Sequence, residues 1–329
     1  MKRRLLFATA ILSAFVLLFA ACSHERPIEA GRFDVCKDGE TTGVIVASIP
    51  NLRDPFVLLD NGVYYVYGTG WECYKNTTED LLGPWENMGR VVTVPKDAVD
   101  NFWAPEVYLY NDAYYMFTTY MSAKNGTRGC AVFRSTGPQG PFVEISDGVV
   151  TPSDWYAIDG TLYVDGSGQP WMIFVREWVS TFDNIGRMMA AKMSSDLTRF
   201  VSEPIELFRA DSPNWTDAKV TDGPWMHRLA NGTLLMLWSN YGQNGYAVGI
   251  ARSTNGEVDG DWVHYNSFLY DSSMGLGLNG GHGMTFRALG GQLYLALHLS
   301  RSSDDINTGK PAFIPLREES DTLVWYTTK

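Results

Sequence analysis

The sequence predicts an all-β chain folded as a five-bladed β-propeller. An aromatic-rich strand–turn–strand pattern recurs five times, and its spacing suits one four-stranded sheet per copy. No stretch reads as a long amphipathic helix.

The first copy runs from Val57 to Tyr67 around Asn61-Gly62, and the second, nearly superimposable, from Val107 to Phe117 around Asn111-Asp112. The third, Gly160 to Phe174, has a longer turn; the fourth, Met226 to Trp238, turns at Asn231-Gly232 and the fifth, Met284 to Leu297, at Gly290. Between the turn residues Gly62, Asp112, Gly166, Gly232 and Gly290 the gaps are 50, 54, 66 and 58 residues, enough for one antiparallel sheet each. Gly83-Pro84-Trp85, Gly140-Pro141-Phe142 and Gly260-Asp261-Trp262, with Leu197-Thr198-Arg199-Phe200 as a variant, mark the start of each outer strand. A β-sandwich also shows closely spaced turns, but five copies in phase favour the propeller. One catalytic domain is expected over residues 44–329, preceded by a tether over 22–43 that is partly strand at most.

The N-terminus reads as a lipoprotein signal peptide over residues 1–21: Lys2-Arg3-Arg4, an uncharged apolar run from Leu5 to Ala21, then Cys22 as the lipidation site. The run falls short of the roughly 20 residues of a membrane-crossing helix. Plain secretion by cleavage nearby is the alternative. Either way the protein is exported, and with Cys22 acylated it is a membrane-anchored lipoprotein of the periplasm or cell surface. Removing the signal leaves 23 basic against 37 acidic residues. That balance argues against nucleic acid and against electrostatic docking on anionic lipid, so contact with a membrane is expected only through the anchor. Cys36, Cys73 and Cys130 then remain, in no zinc-ligand spacing, and allow at most one disulfide.

Polar residues that a buried strand does not need stand just ahead of the hairpins. Asp54 lies 8 residues before Gly62, Asp159 lies 7 before Gly166, Asp222 lies 10 before Gly232 and His282 lies 8 before Gly290. In a propeller, equivalent positions of successive blades surround the axis, so three carboxylates and a histidine would converge. Asp-Pro and Asp-Gly steps are also ordinary turn chemistry, but three at one phase point to a site. Converging carboxylates suit glycoside hydrolysis: a protonated one donates to the leaving oxygen, an ionised one activates water, and a third raises the acid's pKa by repulsion.

Arg53-Asp54-Pro55, Trp103-Ala104-Pro105-Glu106, Ile158-Asp159-Gly160, Asp222-Gly223-Pro224 and Gly281-His282-Gly283, in this order and spacing, resemble glycoside hydrolase family 43 over nearly all the mature chain. The resemblance implies a five-bladed propeller that works with inversion. It implies Asp54 as general base, Asp159 as the residue that tunes and orients the acid, and position 222 as general acid. The family's acid is normally Glu; Asp222 is shorter by about 1.5 Å. Glu177, at the end of an apolar strand, is therefore a second candidate for the acid, or else the partner of Arg176, and Glu106 a third that suits a structural role better. His282 resembles the family histidine associated with a hydrated calcium ion in the central channel, where it would act through water; no cofactor is required for the chemistry.

Sugar faces stack on aromatic rings, and Phe102, Trp103, Trp155 and Trp225 flank these positions. Trp103 and Trp155 are expected to bind substrate, with Arg287 donating to sugar hydroxyls. The expected activity is removal of terminal α-L-arabinofuranose from plant polysaccharide side chains. A β-xylosidase or galactan-active enzyme, a retaining hydrolase and a non-catalytic sugar-binding propeller are the alternatives.

Overall fold

Each repeat forms one antiparallel sheet in the computed structural model of the protein, which describes residues 28–37, 39–301 and 308–328. Ahead of the first repeat lie β1 (Gly31–Lys37) and β2 (Glu40–Val46). The first blade is β3 (Phe56–Asp60), β4 (Val63–Gly68), β5 (Glu72–Asn76) and β6 (Glu86–Arg90). The second is β7 (Ala98–Tyr110), β8 (Ala113–Ser122), β9 (Arg128–Ser135) and β10 (Val143–Glu144). The third is β11 (Ala157–Val164), β12 (Pro170–Arg176), β13 (Arg187–Lys192) and β14 (Ile205–Arg209). The fourth is β15 (Asp222–Arg228), β16 (Leu234–Gly242), β17 (Gly245–Ser253) and β18 (Trp262–Tyr270). The last repeat supplies β19 (Asn279–Arg287), β20 (Leu293–Ser300), β21 (Lys310–Glu319) and β22 (Thr322–Trp325).

The hairpins follow from their turn residues. Asn61 and Gly62 (φ 47° and 80°), like Asn111 and Asp112 (45° and 60°), are both left-handed, as a two-residue turn between twisted strands requires. Outer strands begin at or after the aromatic of each marker, with β6 following Trp85, β10 following Phe142 and β18 opening on Trp262.

The fifth blade is closed by the other end of the chain. β2 pairs with β21, Ile45 opposite Phe313 and Val46 opposite Ala312, and β1 adds outside it. Residues 31–37 and 40–43 are therefore strand, not tether. Closing the ring buries Val44, Ile45 and Val46 to 6% exposure or less, which a solvated linker would leave in water. Cys22 and the signal sequence lie outside the described residues; Cys36, Cys73 and Cys130 are all unpaired.

Most aromatics pack blade on blade. Trp71 of the first blade meets Phe102 and Phe133 of the second, with ring centroids at 4.6 and 5.4 Å. The inner strands β3, β7, β11, β15 and β19 touch their neighbours around the axis. Phe56, Tyr108 and Trp225 plug the channel between them, Tyr108 stacking on Trp225 at 6.3 Å with Phe56 edge-on to both.

Ile45→Ala should lower stability by about 2–5 kcal/mol. Calorimetry should show a fall in Tm of several degrees; an unchanged Tm would mean that β2 does not hold the ring shut.

Candidate active site

One backbone event recurs in every blade. Asp54, Ala104, Asp159, Gly223 and His282 have φ of 54°, 43°, 57°, 51° and 52°. In four blades the inner strand slips register at this point, between Trp103 and Glu106, Ile158 and Thr161, Asp222 and Trp225, and Gly281 and Met284. Such a bulge re-aims a side chain, and left-handed backbone at non-glycine residues gathers at functional sites. The ring position in the fourth blade is thus Gly223, and Asp222 comes just before it. Glycine is required there, because a Cβ would lie 2.8 Å from the His282 Cγ.

The backbone N–H at this position is handed to the preceding blade. Ala104 donates to Thr69 Oγ1 (3.2 Å), Asp159 to Thr119 Oγ1 (2.9 Å), His282 to Ser239 Oγ (2.8 Å) and Asp54 to His298 Nδ1 (3.3 Å). Thr119, Ser239 and His298 each pair across the hairpin with the residue before the ring position of their own blade. At that register the third blade has Val175, opposite Ile158, which offers no acceptor. The Gly223 N–H donates instead to Asp159 Oδ2 at 2.9 Å.

The carboxyls titrate apart. Burial alone would raise Asp54, but the His282 charge, the contacts with His298 and the Arg53 charge outweigh it and hold the group well below the ordinary carboxylate range. The Thr69 hydroxyl also donates to Asp54 Oδ2. Burial, joined by the Asp54 charge, raises Asp159 against the pull of the Gly223 amide. Burial and the Asp159 charge likewise raise Asp222 against His282 and the Tyr246 hydroxyl, which donates to Asp222 Oδ2 at 3.1 Å. Each of the two meets a donor that favours its ion, the Gly223 amide on Asp159 and the Tyr246 hydroxyl on Asp222, and His282 Nδ1 stands 3.6 Å from Asp159 Oδ2. Below them, burial pushes Glu106 up to about 7, with its carboxylate bonded to the Tyr108 hydroxyl.

Asp54, Asp159, Asp222, His282, Glu177 and Trp103 all line one cavity of about 430 Å³. Glu177 is the ion-pair partner of an arginine. Arg128 binds both its oxygens, Nε to Oε2 at 2.8 Å and Nη2 to Oε1 at 2.9 Å, while the guanidinium lies between the rings of Trp103 and Tyr156. Arg176, the partner considered from sequence, instead donates to the Ser180 carbonyl and stacks 4.0 Å from the Trp155 ring. Trp155 stands outside the cavity lining, and Trp178 stands in it. Arg287 is also misplaced by the sequence reading. It lies at the end of β19 away from His282, 59% exposed, paired with Glu318 at 3.1 Å, because five residues of strand carry it to the opposite face.

Among the described residues no group of three or more His, Cys, Asp or Glu is arranged to hold a metal ion. His282 offers calcium only nitrogen, where that ion prefers oxygen, so it would hold such an ion through water, and no step of the reaction is routed through one. Arg128, Tyr246 and His298 were missed. Of these only His298 left a signal, a polar residue in an apolar strand at the phase of Thr119 and Ser239.

A match to Glycosyl hydrolases family 43 covers residues 47–317. The chain is 29% identical over 144 residues to a probable arabinan endo-1,5-alpha-L-arabinosidase B of Aspergillus fumigatus, covering 39% of this chain and 38% of that protein. A similar protein of Emericella nidulans, a probable arabinan endo-1,5-alpha-L-arabinosidase A, is 29% identical over 55% of this chain and 56% of its own length. The chain thus spans about half or less of the curated relatives it matches. An endo-arabinase structure from Bacteroides thetaiotaomicron is similar with a TM-score of 0.74 and 34% identity, over 84% of this chain and 97% of that one.

Two measurements test the geometry. Asp159→Asn removes the charge that raises Asp222, so the alkaline limb of kcat/KM should move to lower pH; an unmoved limb refutes the coupling. Val175→Thr offers the Gly223 amide another acceptor, so Asp159 should gain proton affinity and kcat should drop roughly tenfold, about 1.4 kcal/mol, with Tm kept.

Proposed function

This chain belongs to glycosyl hydrolases family 43, and we propose that it hydrolyses α-1,5-linked arabinan with inversion at the anomeric carbon. The observation that carries the reading is the opposite electrostatic setting of two aspartates in one cavity, Asp54 pulled below the ordinary carboxylate range and Asp222 pushed above it, so we assign the base to the first and the acid to the second. Asp54 takes a proton from water as the water oxygen bonds to the anomeric carbon. The carbon–oxygen bond to the departing sugar breaks, and Asp222 gives its proton to that oxygen. Asp159 stays ionised and keeps the Asp222 proton in place until transfer. Proton exchange with solvent then restores both groups.

The names of the relatives favour cutting inside the arabinan chain over the removal of terminal arabinofuranose that the sequence alone suggested. The basic-then-apolar start and Cys22 support export on a lipid anchor. The anchor would then sit close to the propeller, since only residues 23–30 separate Cys22 from β1, at most about 32 Å of chain.

Digestion of debranched arabinan should release short arabino-oligosaccharides, whereas release of arabinose alone would restore the terminal-cutting reading. Proton NMR should find the first-formed sugar in the β configuration. Asp222→Asn should lose about 10²–10⁴-fold in kcat while Glu177→Gln chiefly raises KM; the reverse pattern would make Glu177 the acid.

A further inference from the structure

The segment from Glu177 to Gly186 joins β12 to β13 on the face that carries the cavity. Glu177 and Trp178 line the cavity itself, and beyond them apolar side chains turn outward, Val179 at 55% and Phe182 at 95% exposure. Single exposed apolar residues are ordinary, but this one is held out by fixed backbone. On one side the Thr181 hydroxyl lies 3.0 and 2.9 Å from the carbonyls of Trp178 and Ile185. On the other, Asp183 accepts from Arg187 Nη2 at 2.7 Å and Arg209 Nη1 at 3.0 Å, and from the Ile185 amide at 3.2 Å. With the backbone on both sides of Phe182 already fixed, binding a ligand on its ring would cost little further backbone ordering. Four residues of chain put Phe182 at most about 14 Å from Trp178.

We propose that Trp178, at the cavity wall, and Phe182, beyond it, form a sugar-binding platform leading out of the catalytic cavity, on which further units of a neutral polysaccharide chain stack. The proposal rests on reading the cavity as a glycosidase site. Apolar ring faces match the C–H faces of uncharged sugars, and the only acid within the segment beyond Glu177, Asp183, is already bound by two arginines. The platform makes the enzyme select for chain length as well as for linkage.

Phe182→Ala leaves every one of these hydrogen bonds in place and should fold normally. On debranched arabinan its KM should rise roughly tenfold, equivalent to about 1.4 kcal/mol, with kcat within twofold. Hydrolysis of an aryl α-L-arabinofuranoside should be unchanged, and Phe182→Trp should restore the polymer KM. Native electrophoresis through gels containing arabinan, xylan or galactan reads binding without cleavage. Retardation of the wild type that Phe182→Ala loses supports the platform even if no polymer is cut, an outcome that would overturn the proposed function alone. Equal KM and equal retardation of both proteins, or no retardation in any of the three gels, overturns the platform.

Discussion

Around the propeller axis, five backbone amides must find acceptors, and the fate of one of them sets the chemistry of the site. Four are satisfied by Thr69, Thr119, Ser239 and His298, each reaching across from the preceding blade. The fifth, on Gly223, faces the blade in which that register holds Val175, and it takes the Asp159 carboxylate instead. A buried amide without a partner costs about 1–3 kcal/mol, so this contact is held firmly. The hydrogen bond that docks the fourth blade against the third is therefore the same one that favours charge on Asp159. Fold closure and site electrostatics share an interaction.

Three aspartates in one cavity behave differently because burial, which raises all of them, is met by different neighbours. Asp54 is offset by His282, His298 and Arg53. Asp159 and Asp222 add repulsion to burial, Asp159 from Asp54 and Asp222 from Asp159. A tenfold change in proton affinity corresponds to about 1.36 kcal/mol between protonation states. The raised pair favours the folded state most below the ordinary carboxylate range, and that contribution is lost as pH rises through the raised values. Asp54 works in the opposite sense, stabilising above that range and losing its contribution as pH falls through its own depressed value. Neighbouring carboxyls are thus pushed in opposite directions without a residue of unusual chemistry.

Much of this was legible in order of the strength of the periodic signal. The hairpins at Asn61-Gly62 and Asn111-Asp112 announced the blades because a two-residue turn leaves little freedom of residue choice. Asp54, Asp159 and His282 announced the ring because they stand at nearly one distance, 8, 7 and 8 residues, ahead of the turn of their own blade. Asp222 was found one residue off the phase, since the ring position itself had become Gly223 to clear His282. Arg287 was misread because nearness in sequence to a site residue says little in a strand, whose successive residues run from one face of the propeller to the other. Phe182 left no trace, because it stands outside the repeating strand pattern, in the connection between β12 and β13.

The sequence by itself determined the propeller, its five blades and the identity of the central carboxylates, all consequences of local pattern repeated in phase. Tertiary structure alone decided that the N-terminal segment completes the fifth blade, that Glu177 belongs to Arg128 and that the Gly223 amide bonds to Asp159. Those outcomes depend on pairs such as Ile45 with Phe313, Glu177 with Arg128 and Gly223 with Asp159, which stand 268, 49 and 64 residues apart along the chain. Periodicity specifies which way a side chain points within its own blade, but charge, desolvation and hydrogen bonding act through space, and the partner is fixed only when the ring closes.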